Sequence, residues 1–154
     1  MARWVVFGLD AGRYALPLAV VERIVRAVHV TPLPRAPAVV LGVIDVEGHV
    51  LPVFSLRHRL RLPERSIGPA DQFLIARTAR RTVVLVIDAA HSVLEHPAAA
   101  TFDAAHIVPT LEHIRSVIPL EDGLVLIHDL EVFLSPEEAH ALDEAMNPDN
   151  PHAD

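Results

Sequence analysis

The chain has 154 residues, no cysteine and a formal net charge of −7, and 51% of its residues are hydrophobic. That size suits one domain, or two small subdomains that share a core. The negative balance speaks against a nucleic-acid binder and against adsorption on an anionic membrane surface, and the lack of cysteine excludes disulfides, thiolate catalysis and cysteine-ligated metal centres.

Aromatic residues are only 5% of the chain, so the core is aliphatic. All 13 basic residues are arginine. This reflects either a bias of the source genome or the fit of planar guanidinium forks to protein contacts. No apolar run approaches the roughly 20 residues of a membrane span. The apolar start from Met1 to Leu9 is too short for the hydrophobic region of a signal peptide. The sequence therefore predicts a soluble, cytoplasmic protein.

In chain order, Arg3 to Leu9 reads as a strand, Ala11-Gly12 as a turn, and Tyr14 to Leu16 as the start of a second strand. Leu18, Val21, Ile24 and Val25 are spaced as on a short helix over Pro17 to Val25, followed by a strand through Val28 and Val30. The three prolines in Thr31 to Pro37 remove three donors, so an extended connector is expected there. Gly42 to Phe54 then reads as a hairpin turning at Glu47-Gly48, where Gly48 supplies the positive φ of a tight turn. Pro52 lacks an N–H, which predicts that its strand is an edge or carries a bulge.

Leu56 to Leu62 is a short helix or turn. Arg57, Arg59, Arg61 and Arg65 make it either a basic patch for an acidic partner or one solvated face. Phe73 to Ala76 and Val83 to Ile87 form a strand pair, the second apolar throughout as a strand buried on both faces is. Asp88, which follows, either caps that strand or is a buried carboxylate with a raised pKa. Pro97 to Glu112 has no clean period. Arg115 to Leu130 is a second hairpin around Glu121-Asp122-Gly123. Ser135-Pro136-Glu137-Glu138 opens a helix with a capping box. That helix buries Ala139, Leu142 and Met146, ends at Asn147-Pro148, and gives way to a disordered tail over 147–154.

The second hairpin echoes the first. Val43-Ile44, Val46-Glu47, Gly48, Val50-Leu51 and Leu56 recur as Val117-Ile118, Leu120-Glu121, Gly123, Val125-Leu126 and Leu130, with one residue inserted before the second glycine. Phe7 to Val25 and Phe73 to Leu94 share a plan as well. Two similar β units, neither stable alone, fit this pattern, as does a chance likeness among aliphatic hairpins.

Catalytic signatures are missing. Ten histidines invite a metal site or a histidine-based β-barrel enzyme. His91 and His96 flank one strand, His106 and His113 flank a loop, and His49 and His128 lie near hairpins. No spacing among them matches a zinc pattern. None of the five serines sits in a nucleophile elbow, and the glycines are too dispersed to cradle a phosphate. Catalytic, cofactor and metal residues are all expected to be none.

An ordered set of residues carries a resemblance. It runs through Tyr14 with Leu16-Pro17-Leu18, Val21 with Ile24, Leu33-Pro34 with Ala36-Pro37, and Gly42-Val43-Ile44. It continues through Gly48, Leu51-Pro52-Val53, Leu56-Arg57, Asp88, Val93-Leu94 and Asp122-Gly123-Leu124. From about Trp4 to Leu134 the chain resembles the CheW-like family of bacterial chemotaxis coupling proteins. The resemblance implies an all-β fold with short helices. Two intertwined SH3-like five-stranded β-barrels share a core over 1–134, followed by a C-terminal helix over 135–146.

It also implies a non-enzymatic adaptor without cofactors. Such an adaptor joins the cytoplasmic tips of methyl-accepting chemoreceptors to the regulatory domain of a CheA-like histidine kinase, recruited to membrane-associated arrays without inserting in the membrane. A divergent role in a twitching or biofilm pathway, or as a kinase-binding decoy, is the variant reading. Carried over by motif, the receptor groove includes Val21, Ile24, Glu47, Ala90 and Val93, and the kinase contact falls near Phe73 and Ile75. The family usually has Asn-Leu-Arg-Gly at the first hairpin turn. This chain has Asp45-Val46-Glu47-Gly48, an anion in place of a cation on the receptor-facing tip.

Overall fold

A computed structural model of the chain describes residues 2–97 and 113–147 and, for the backbone alone, 102–103. Among these, eleven strands form two sheets. In chain order they are β1 (Ala2–Leu9), β2 (Gly12–Pro17), β3 (Val21–Arg26), β4 (Val40–Val46), β5 (His49–Phe54), β6 (Gln72–Arg77), β7 (Thr82–Ile87), β8 (Ala89–His96), β9 (Phe102–Asp103), β10 (Ile114–Leu120) and β11 (Gly123–His128). Two helices complete the fold, α1 (Leu56–Arg59) and α2 (Pro136–Met146). The first sheet has the order β8-β1-β2-β11-β10-β9 and the second β3-β6-β7-β5-β4. The two-residue β9 lengthens one sheet beyond the five strands expected of each.

The echo between the two hairpins is structural, and it contains no insertion. Val46 faces His49 across Glu47-Gly48, and Leu120 faces Gly123 across Glu121-Asp122, so both loops have two residues. The first register slips between Val40 and Gly42, and the second at the equivalent place, between Ile114 and Ser116. Ser55 caps α1 just after the first hairpin, and Asp129 caps a 3₁₀ turn (Leu130–Val132) just after the second. The second glycine has moved one place along its strand, which gives the false impression of an extra residue.

The halves also exchange strands. β1 and β2 join β8, β10 and β11 of the second half, while β6 and β7 join β3, β4 and β5 of the first. Each exchange is sealed by a short parallel pairing, β2 with β11 and β5 with β7. Period-2 alternation then sends successive side chains to different cores. On β1, Val5 and Phe7 join the cluster shared by both sheets, and Val6 fills its own barrel. On β6, Leu74 and Ala76 join the shared cluster, and Phe73 and Ile75 fill the other barrel.

Three local expectations are revised. Pro17 to Val25 is not a helix. It is a 3₁₀ turn (Leu18–Val20) running into β3, and the span around Val28 and Val30 forms no strand. A register shift between Val21 and Arg23 breaks the alternation, so Val21 and Ile24 both reach the shared cluster and imitate helical spacing. β5 is an interior strand, yet Pro52 is tolerated. Val43 sends both its N–H and its carbonyl to Thr31 on the other side, at 2.8 and 2.9 Å, so β4 asks nothing of Pro52. The pairing with β7 begins only at Val53.

Thr31 thereby covers the edge of β4. The helix after Ser135 has the expected capping box and buries Leu142, while Ala139 and Met146 are half-buried. The tail beyond Asn147 and most of Pro97 to Glu112 lie outside the described residues.

Candidate interaction surface

Three of the expected groove residues meet the shared core. Among the described residues β3 and β8 are each one edge of their sheet and occupy equivalent positions in the two sheets. Val21 and Ile24 of β3 and Ala90 of β8 are half-buried and pack on the shared cluster. Val93, which stands on β8 where Ile24 stands on β3, is 55% exposed. The shared cluster is therefore flanked on β3 and β8 by small and branched aliphatic side chains, with sheet edges beside them.

Glu47 sits at the tip of the β4–β5 hairpin and is tied back to this border. Its Oε1 accepts from Arg23 Nη1 of β3 at 3.3 Å. Both partners are exposed, so the pair adds little stability. It does set the local charge, because the anion at the tip is matched by a cation on β3. Glu47 and Gly48 both have positive φ, 51° and 85°, the geometry of a type I′ turn, and Asp45 Oδ1 accepts from Gly48 N at 2.9 Å. Glutamate is poorly suited to that conformation. We expect Glu47→Asn to raise stability by about 0.5–1 kcal/mol in chemical denaturation, because asparagine tolerates the left-handed region.

Phe73 and Ile75 do not form a contact surface. They are 0% and 1% exposed. They alternate onto the face of β6 that fills the interior of its barrel, together with Ile44, Val53 and Val84.

The arginines of the α1 segment are neither a free basic patch nor a solvated face. Arg57 is 8% exposed, and its Nη2 donates to Asp88 at 2.8 Å and meets Asp10 at 2.9 Å. Arg65 bridges Asp71 at 2.7 Å and Asp88 at 2.6 Å. Arg59 donates to both oxygens of Glu138 on α2, at 2.8 and 2.7 Å. Only Arg61 of the four faces water without such a bond. Burial pushes the Asp88 carboxyl up, but the Asp10 amide and the guanidiniums of Arg57 and Arg65 outweigh it and hold the carboxyl below its ordinary value. Arg65 likewise lowers Asp71. Asp88 is thus an ionised knot between β7 and β8, where the chain crosses between sheets, and not a carboxyl with a raised pKa.

Among the described residues the histidines do not converge, and no three metal-binding side chains cluster. His91 lies over Gly8, His96 Nδ1 lies 3.1 Å from its neighbour's carbonyl, and His106 is outside the described residues. Of the described histidines only His128 is buried. It is 2% exposed, neither ring nitrogen has a hydrogen-bond partner, and it packs against Phe133 at 5.4 Å and His113 at 6.5 Å between centroids. Burial, reinforced by His113 and Arg59, lowers its pKa to about 3. In the repeat it stands where the first hairpin has Phe54, which stacks on Phe133 at 4.8 Å. That equivalence is the signal in the sequence that marks it as a core position.

Residues 3–138 match the model of the CheW-like domain. The chain is 29% identical over 119 residues to the chemotaxis protein CheW of Rhizobium meliloti, covering 72% of this chain and 73% of that one. It is 27% identical over 141 residues to the chemotaxis protein CheW of Bacillus subtilis, covering 90% of each. The crystal structure of the scaffolding protein TtCheW from Thermoanaerobacter tengcongensis superposes with a TM-score of 0.80 at 21% identity, covering 89% of this chain and 90% of that one, which establishes the paired-barrel fold.

Proposed function

The chain belongs to the CheW-like domain family, and we propose that it is a non-enzymatic adaptor that couples chemoreceptors to a CheA-like histidine kinase in chemotaxis-type signalling. The family match over nearly the whole chain carries this reading. The crease geometry supports it, since aliphatic side chains on two strands that are sheet edges among the described residues suit a polypeptide. No helix among the described residues is long and apolar enough to cross a membrane, so recruitment to a receptor array would come through the receptor itself.

In this reading a receptor tip lies along the crease against Val21, Ile24, Ala90 and Val93, with the Arg23–Glu47 pair at one end. The paired charges ask for a partner that brings no single dominant charge to that end. The kinase regulatory domain docks elsewhere on the barrels, through exposed side chains and not through Phe73 or Ile75.

Val93 gives the cleanest test, because its exposure lets a charge be introduced without disturbing the fold. In pull-down and titration against a receptor cytoplasmic fragment from the same cell, Val93→Asp should weaken binding by about tenfold or more, with the melting temperature unchanged. Kinase binding should survive. Unaltered receptor affinity in that variant removes the crease from the account. Failure of the parent protein to bind a kinase regulatory domain at tens of micromolar, a weak limit of about 6–7 kcal/mol, removes the adaptor reading itself.

A further inference from the structure

Few groups hold α2 on the end of the barrel. Leu142 is its only buried side chain. Met146, and Leu134 just before the helix, lie half-buried on the shared cluster. Arg59 grips Glu138, and Arg80 and Arg81 share the carboxylate of Asp143. The Asp143 pairs meet water, where ion pairs add little. A helix of 11 residues is not stable alone, so α2 keeps its shape only while docked. The docked state also leaves a cleft of about 630 Å³ between α2 and the barrel, and a buried Arg59 Nε without a partner. A buried donor left unmade counts against that state.

The surface under α2 has a definite character. Phe54, Leu130 and Phe133 form its apolar floor, with Arg59 over the Phe133 ring at 5.4 Å. The acids that answer Arg59, Arg80 and Arg81 are Glu138 and Asp143, and both belong to α2. When α2 leaves, they leave with it, and Glu131 is the acid that remains in the lining. The uncovered groove is then apolar below and basic at the rim, on a chain whose net charge is −7.

We propose that α2 is a releasable strap lying in a helix-binding groove, and that an acidic amphipathic helix of a partner protein can take its place. α2 itself displays the pattern such a helix needs. Leu142 meets the floor, and the acids at Glu138 and Asp143 meet the arginine rim. No residue of β3 or β8 lines the groove, so the inference does not depend on the adaptor reading.

Hydrogen exchange of the full chain measures the release. The amides of Ala139 to Met146 should exchange at least about 100-fold faster than those of β6 and β7, through an opening that leaves the sheets intact. A peptide spanning Leu134 to Asn147, added in trans, measures the groove. Against the parent chain it competes with a tethered helix whose effective concentration is on the order of mM, so its Kd should lie above about 1 mM. Leu142→Asp frees the tethered helix, and the same peptide should then bind at least about tenfold more tightly. A peptide carrying Glu138→Arg and Asp143→Arg should bind that variant about tenfold more weakly than the native peptide does. If Leu142→Asp fails to fold, the exchange of the parent chain decides. The proposal is overturned by α2 amides that exchange only with global unfolding, by peptide affinity that does not rise in a folded Leu142→Asp chain, or by equal affinity of the two peptides.

Discussion

Replacing Gly42 by alanine should lower the stability of the fold by about 3 kcal/mol. Two independent effects add. The backbone at Gly42 has a φ of +152°, which side chains of L-residues rarely adopt. A Cβ built there would also lie 2.2 Å from the carbonyl oxygen of Thr31 and 2.7 Å from Val30. The connector would have to move off the edge of β4 and give up the two hydrogen bonds between Thr31 and Val43. For a domain of this size the melting temperature should fall by about 10 °C. The control is Gly48→Ala, where a Cβ meets nothing within 4 Å. There only the backbone strain remains, and the loss should be about 1 kcal/mol. Equal losses at the two glycines would show that the close approach of Thr31 is not what matters.

The second large effect is a loss of stability in mild acid. The His128 imidazole titrates at 6.5 when unfolded and at about 3 when folded. Between those values the unfolded chain binds the proton and the native chain does not, so stability rises with pH across the window and is lost as pH falls. Each unit of pH costs about 1.4 kcal/mol, so acidification from about pH 6.5 to about pH 4.5 removes roughly 2–3 kcal/mol. Above pH 6.5 the ring is neutral in both states and contributes nothing to the slope. Asp71, Asp88 and Glu138, all held below their ordinary values, act lower down: the stability they lend is present above pH ~4 and lost below it. Urea unfolding at a series of pH values measures the slope directly. His128→Phe, which copies the residue used at the equivalent place in the first hairpin, should flatten the slope between about pH 6.5 and pH 4.5 and leave the acid limb below it. A slope unchanged in that variant would assign the acid sensitivity to other groups.

The fold was legible where local chemistry decides it. Alternating aliphatic residues marked the strands, Glu47-Gly48 and Glu121-Asp122-Gly123 marked the turns, and Ser135-Pro136 with Glu138 marked the start of α2. Legibility failed where a partner far along the chain decides. The arginines of the α1 segment are matched by Asp10, Asp88 and Glu138, which stand many residues away, so nothing in their own neighbourhood told a patch from an interior network. β3 misled because its bulge places Val21 and Ile24 on one side, a spacing that a helix shares.

The crease residues were reached by likeness to a family, and the structure brings Val21, Ile24 and Ala90 to one border. The same likeness put a partner contact at Phe73 and Ile75, where strand alternation makes them interior. Their apolar character alone gave no indication of which side of β6 they occupy.

The exchange of the leading hairpins between the two halves has a consequence for how the protein is made on the ribosome. β1 and β2 leave the exit tunnel before the other strands, yet their sheet is completed only when β8, β10 and β11 have been synthesised. During that interval one flank of β2 stays open, because its parallel neighbour β11 follows every other strand in chain order. Neither half can close by itself, so a nascent chain released early would carry two unfinished sheets whose exposed edges can pair with other chains. Maturation is therefore a late, all-or-none event, and a truncation just before β11 should yield aggregated protein and not a smaller stable barrel.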